Sequence, residues 1–101
     1  AIVCYDKALE IDPNDVYALN GKGIVLKNLK KYEEAIVCYD KALEIDPKYV
    51  YALNNKGDAL SELEKYEEAI VWYDKALAIE PNNEHAKKAR QLAVDALKQN
   101  K

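Results

Sequence analysis

The chain predicts an all-α fold, a right-handed superhelical solenoid of antiparallel helix pairs without a sheet. Three observations carry that expectation. Ala1-Ile-Val-Cys-Tyr-Asp-Lys-Ala-Leu-Glu-Ile-Asp-Pro13 recurs letter for letter at Ala35–Pro47, and again with three substitutions at Ala69–Pro81, a period of 34 residues. Between these blocks the apolar residues follow a helical period, as in Leu19, Gly23, Leu26 and Leu29. Each block closes on a proline (Pro13, Pro47 and Pro81), which cannot continue a helix and disfavours helical geometry in the residue before it. A fixed period of this length marks a stack in which each unit buries its apolar face only against its neighbours.

Residues 1–15 are a half-repeat, a second helix (about 1–12) without its first. Residues 16–49 form a full unit. Its first helix, 16–29, buries the Leu19 row, widened by Ala18 and Val25, and Asn14 or Asp15 can cap its free amides. Its second helix, about 32–45, carries Ala35, Ile36, Tyr39, Ala42, Leu43 and Ile45. That helix is apolar over more than half its circumference, as expected of one packed on both sides. Residues 50–83 repeat the plan, with helices at 50–63 and 66–79. Residues 84–101 form a closing helix with a narrow stripe of Ala86, Ala89, Ala93, Ala96 and Leu97. Its other faces are polar, which lets it seal the stack against water. We expect one domain over residues 1–101, a stack of five helices, and each proline just past a helix end.

With these residues in register the chain resembles the tetratricopeptide repeat family over essentially its whole length. The matching positions are small residues where paired helices approach, an aromatic mid-way along the second helix, and a late proline. In the first unit these are Gly23, Ala35, Tyr39, Ala42 and Pro47; in the second, Gly57, Ala69, Tyr73, Ala76 and Pro81. There are departures. Leu19 and Leu53 replace a bulky aromatic, Lys22 and Lys56 replace a leucine, and Lys30 and Glu64 stand in a turn that often holds glycine.

Half the residues are apolar and a third charged, ordinary for a soluble helical protein. The net charge of −3 argues against a nucleic-acid partner, because neutralising phosphates takes a basic surface. Residues 1–83 carry ten Lys and sixteen Asp or Glu, a balance of −6, whereas residues 84–101 carry +3. The late lysines complement the dipole of the closing helix. No apolar run reaches the roughly 18 residues a membrane span needs. No secretory leader or glycosylation acceptor is visible. Two cysteines without extracellular hallmarks suggest a cytoplasmic setting. The chain lacks Met and begins inside a repeat, so it reads as a fragment, a processed chain or an engineered one.

Enzymatic chemistry is not expected. One Ser (Ser61), no Thr and one His (His85) give no nucleophile beside a base, the Ser and His lying on different repeats at non-corresponding positions. The carboxylates Asp40, Glu44, Glu67, Glu68 and Asp74 read as a solvated helical face. Cys4 and Cys38 share one phase of consecutive second helices. Packed helices lie about 8–10 Å apart, too far for a disulfide, which needs its Cα atoms roughly 4.4–6.8 Å apart. With one distant His they cannot complete a zinc site either. Both read as small half-buried hydrophobes at a position where the third copy holds Trp72. No catalytic, metal or cofactor site is assigned, and no cofactor is expected.

The family resemblance implies that the first helices line a concave groove able to hold a peptide of a partner protein. The row opposite the apolar stripe faces it: Tyr17, Asn20, Ile24 and Lys27, then Tyr51, Asn54, Asp58 and Ser61, then His85, Lys88, Leu92 and Asp95. The two tyrosines are large amphipathic side chains of the kind favoured at binding surfaces. Asn20 and Asn54 could pair with an extended backbone, and Lys88 with His85 could hold a carboxylate. Co-chaperone members of the family hold the terminal carboxylate of a chaperone tail with a set of Lys, Asn and Arg. Here Asn55 fits that set, but Asn20, Ile24, His85 and Ala89 stand where most of it would be, so that ligand is not expected.

A different reading is self-assembly into a homo-oligomer. The half-repeat leaves Ala1, Ile2, Tyr5, Ala8 and Leu9 without the helix that would cover part of them. A further stripe of Val3, Val37 and Val71 falls in phase with Asp and Lys, on the outer, wet face.

Overall fold

The computed structural model describes residues 2–99. The chain folds as α1 (Ile2–Ile11), α2 (Val16–Asn28), α3 (Tyr32–Ile45), α4 (Val50–Glu62), α5 (Tyr66–Ile79) and α6 (Glu84–Gln99). The described residues thus form six helices rather than the expected five. The half-repeat and the closing helix both form complete elements and flank two full pairs. No strand occurs among the described residues. Each of Pro13, Pro47 and Pro81 lies two residues past a helix end.

The helices stack in chain order along a body of 46 × 27 × 19 Å. α2 packs on α1, α3 and α4; α4 packs on α3, α5 and α6. The core runs between the pairs, with Tyr39, Tyr73 and Leu53 its largest fully buried side chains. Each tyrosine ring lies flat against the first helix of its own unit, at Gly23 and Gly57. A Cβ on Gly57 would come within 2.6 Å of the Tyr73 ring, so only glycine permits this approach. Tyr5 of α1 packs its ring over Gly21 of α2.

The helix ends follow local chemistry. Asp15, not Asn14, caps α2, its Oδ1 accepting from Ala18 N at 3.2 Å. Asn83 does the same for α6 through Ala86 N at 3.0 Å. α3 and α5 begin without a side-chain cap, but Glu33, Glu34, Glu67 and Glu68 complement their dipoles in the first turn. Between paired helices, Lys30 and Glu64 take φ of 64° and 62°. Lys31 N–H then donates to Leu26 O at 2.8 Å, and Lys65 N–H to Leu60 O at 2.9 Å. These are the closing bonds of a turn usually made by glycine, kept here at the cost of a left-handed β-carbon.

Several expected faces shift. Leu29 and Ile45, placed in apolar stripes, are exposed because each sits at a helix end. Ile2 and Leu9, read as uncovered, are half-buried against the core, and so is Tyr5. The exposed apolar side chains of α1 are Val3, Cys4 and Ile11. Ala1 lies outside the described residues. Val3, Val37 and Val71 are exposed at 65, 52 and 49 %, so the outer stripe is present.

Two of the residues that interrupt the family pattern, Lys22 and Lys56, join the units. Lys22 Nζ meets Asp6 Oδ1 at 2.7 Å, Lys56 pairs with Asp40, and Arg90 Nε meets Asp74 Oδ1 at 2.5 Å. Asp40 and Asp74 are therefore rungs between units rather than merely solvated carboxylates. The Asp6 hydrogen bond raises the pKa of Lys22.

Candidate functional site

The first helices α2, α4 and α6 line one side of the stack, and a groove of about 790 Å³ opens between them. Its floor carries Lys27 from α2, Asp58 and Ser61 from α4, and His85, Ala89 and Leu92 from α6. Side chains as far apart in the chain as Lys27 and Leu92 thus share one cavity.

Asp58 is the hub. Its Oδ1 accepts from the Tyr73 hydroxyl at 2.6 Å, and its Oδ2 lies 2.8 Å from His85 Nε2 and 3.7 Å from Lys27 Nζ. Ser61 Oγ sits 3.4 Å from the same hydroxyl. Ser61 and His85 therefore line one site, against the expectation that their spacing keeps them unrelated. Both are organised around a carboxylate, with no base placed against the serine oxygen. Burial, and then the hydrogen bond to Asp58, push the Tyr73 hydroxyl pKa well up. His85, read as a holder of ligand carboxylate beside Lys88, is already engaged with Asp58. Lys88 is exposed, and Asp95 accepts from Gln91 Nε2 at 2.9 Å.

At the other end of the row stand the tyrosines. Tyr17 and Tyr51 are 75 and 67 % exposed, and each meets Tyr49 edge to face, with ring centroids 5.7 and 5.5 Å apart. Sequence reasoning missed Tyr49 because it precedes its helix rather than lying on the groove row. Between the two ends, Asn20 and Asn54 are buried, not open as expected. Asn20 Oδ1 accepts from Asn55 Nδ2 at 3.0 Å across the unit boundary. The residue equivalent to Asn55 one unit on is Ala89, which has no amide to donate, and Asn54 Oδ1 is buried without a partner. Ile24, the equivalent of Asp58 in the first unit, is half-buried.

Away from this groove, Cys38 is buried and Cys4 exposed, both as free thiols. Burial raises the Cys38 pKa, so it is a packing residue rather than a nucleophile. Trp72 takes the equivalent place in the next unit, with Lys56 Nζ 3.7 Å and Lys75 Nζ 4.1 Å from its ring. The described residues hold no group of three or more His, Cys, Asp or Glu able to bind a metal ion. No helix among them is long and apolar enough to cross a membrane.

Known proteins share both the pattern and the shape. A tetratricopeptide repeat family model matches residues 16–49 and 50–83. Among solved structures, the first TPR of Spaghetti (RPAP3) bound to the HSP90 peptide SRMEEVD is 30 % identical with a TM-score of 0.92, covering 95 % of this chain and 76 % of that one. The first TPR domain of human RPAP3 is also 30 % identical with a TM-score of 0.95, covering 98 and 78 %. The TPR2B-domain:pHsp70 complex of yeast Sti1 is 27 % identical with a TM-score of 0.85, covering 98 and 82 %. Among curated protein sequences none matches significantly. The two matched repeats span more than half of the chain, their helix pairs carry the glycine–tyrosine packing found at Gly23 and Gly57, and the chain belongs to the tetratricopeptide repeat family.

Proposed function

We propose that the chain is a non-enzymatic scaffold that binds a peptide segment of a partner protein along the face formed by α2, α4 and α6. The observation that carries this reading is the groove itself, to which all three first helices contribute charged or polar side chains. Structural relatives hold peptides: RPAP3 domains with SRMEEVD and with the HSP70 peptide SGPTIEEVD. On this reading Tyr17 and Tyr51 supply apolar contact area, Lys27, Asp58 and His85 supply polar selectivity, and Ile24, Asn20 and Asn54 pack between the two ends of the row. Lys88 borders the site. Residues 1–15 and 84–101 act as flanks of a single domain built on the units 16–49 and 50–83. The two free thiols fit a cytoplasmic setting, and the acidic body does not favour nucleic acid or an anionic membrane surface.

Acidic tails such as SRMEEVD and SGPTIEEVD do not suit this groove. Ile24 and Ala89 offer no charge at two of the relevant positions, and His85 is held by Asp58. Affinity is expected to be modest, because a short stack offers a small surface and buried area alone guarantees little. The test is a peptide selected on the intact chain, measured against a Tyr17→Ala, Tyr51→Ala variant. Binding should weaken while the helical circular dichroism is unchanged. Equal affinity for both proteins would remove the groove assignment.

A second reading, self-association through α1, is favoured by one observation: none of its described residues is fully buried, and Val3 and Ile11 stand 65 and 88 % exposed. Sedimentation of the wild type beside a Val3→Asp, Ile11→Asp variant decides it. Two monomers at high concentration would end that reading.

A further inference from the structure

We infer that the groove selects a cationic side chain, Arg or Lys, and that Asp58 Oδ2 is the atom that receives it; this rests on the peptide-groove reading above. The two oxygens of Asp58 are in different situations. Oδ1 is tied to the hydroxyl of Tyr73, which is 1 % exposed and cannot move without opening the core. That bond anchors Oδ1 to the core and leaves Oδ2 without a core partner. Oδ2 is met by side chains reaching across from flanking helices, Lys27 at 3.7 Å and His85 Nε2 at 2.8 Å, the same nitrogen lying 3.0 Å from Oδ1. The His85 side chain is 57 % exposed, and its pairing is the exposed kind that contributes little net stability. An incoming guanidinium or ammonium can therefore take its place at small cost and supply a charge-assisted bond.

The cavity beside Asp58 offers such a side chain an apolar wall and a polar end. One wall is apolar and small, made of Ala89, Leu92, Ala93 and Ala96 of α6. Leu92 is 70 % exposed, a large apolar surface facing solvent. A Lys or Arg stem lies on such a wall with its charged head at the polar end. At that end Glu62 adds a second carboxylate, and Tyr32 and Tyr66 add aromatic surface of the kind that attracts cations. The equivalent place in the first unit carries Ile24, so the site exists once in the chain and sets a register for the peptide. The same carboxylate repels acidic tails of the SRMEEVD kind.

The test uses an array of N-acetylated, C-amidated peptides, so that a terminal amine cannot mimic the side chain. The best binder is measured by calorimetry on the wild type, on Asp58→Asn and on His85→Ala. The binder is expected to contain Arg or Lys, and changing that residue to Gln should weaken it roughly tenfold on the wild type. On Asp58→Asn, where Tyr73 still finds an acceptor, the same change should have little effect. His85→Ala, which frees Oδ2, should tighten the basic peptide, an outcome a purely structural role would not give. A binder weakened by Tyr51→Ala but indifferent to its own Arg or Lys overturns the inference and leaves the groove reading intact. An array without a binder, or a binder unaffected by every groove variant, overturns both.

Discussion

The two full units, 16–49 and 50–83, place their central tyrosines on the same glycine position of the same helix pair, yet surround the hydroxyls differently. Tyr73 donates to Asp58 at 2.6 Å. Tyr39, fully buried, has no partner for its hydroxyl. The cause is one position: Asp58 in the second unit is Ile24 in the first. The ring packing, which makes the fold, tolerates either neighbour because ring and glycine satisfy each other. The hydroxyl does not, since a buried polar group without a hydrogen bond costs roughly 1–3 kcal/mol. What the units share maintains the stack, and the differences Ile24/Asp58, Lys27/Ser61 and Asn28/Glu62 set the chemistry of the groove.

The hardest way to break this comparison is to remove the rings. Tyr73→Ala should cost about 3–5 kcal/mol in chemical denaturation, the range for emptying a buried aromatic site. Tyr39→Ala should cost less by about 1–2 kcal/mol, because it also removes an unpaired hydroxyl. Equal losses would mean that the Tyr39 hydroxyl is satisfied in solution.

Removing only the hydroxyls sharpens it. Tyr73→Phe should lose about 1.5–3 kcal/mol, the value of a bond to a charged acceptor, whereas Tyr39→Phe should gain about 1 kcal/mol. The same pair predicts an alkaline limb. Burial raises both hydroxyl pKa values above the ordinary 10.0. The folded chain then holds these protons to a higher pH than the unfolded chain does. Their contribution is complete below pH 10 and is lost as pH rises above it. Stability measured from pH 8 upward should fall beyond that point, and a Tyr39→Phe, Tyr73→Phe variant should show a flatter profile.

Smaller effects test what the units have in common. Lys30→Gly and Glu64→Gly should each stabilise by about 0.5–1 kcal/mol, since glycine relieves the left-handed β-carbon and returns part of the gain as unfolded-state entropy. A loss at either site would show that the turn is not left-handed in solution. Smallest is the rung between units. Lys22→Met and Lys56→Met should each cost less than about 1 kcal/mol, with Lys56 the larger because it also covers the Trp72 ring.

Reading the residues in order was enough for the stack and much of its detail. Period, proline spacing and apolar phase located all six helices to within a few residues, even though five were counted. The groove row was legible as a phase, but its contents were only partly so. Asn20 and Asn54 share a phase with Tyr17 and Tyr51 yet are buried, because depth depends on how closely the next helix packs. Lys22 and Lys56 looked like departures from a pattern and proved to be halves of ion pairs. Their signal was available in the spacing, since Asp6, Asp40 and Asp74 each stand sixteen residues before Lys22, Lys56 and Arg90.

By itself, then, the sequence determined the helices, their pairing and their order, because each depends on local periodicity and on a repeat that every unit satisfies in the same way. Only the tertiary structure decided that Asp58, Tyr73, Ser61, His85 and Lys27 meet. Those residues come from four helices, and only Lys27 and Ser61 hold equivalent places in the repeat, so the period alone does not bring them together. The distances between them follow from how one helix lies against the next, a property of packing and not of spacing.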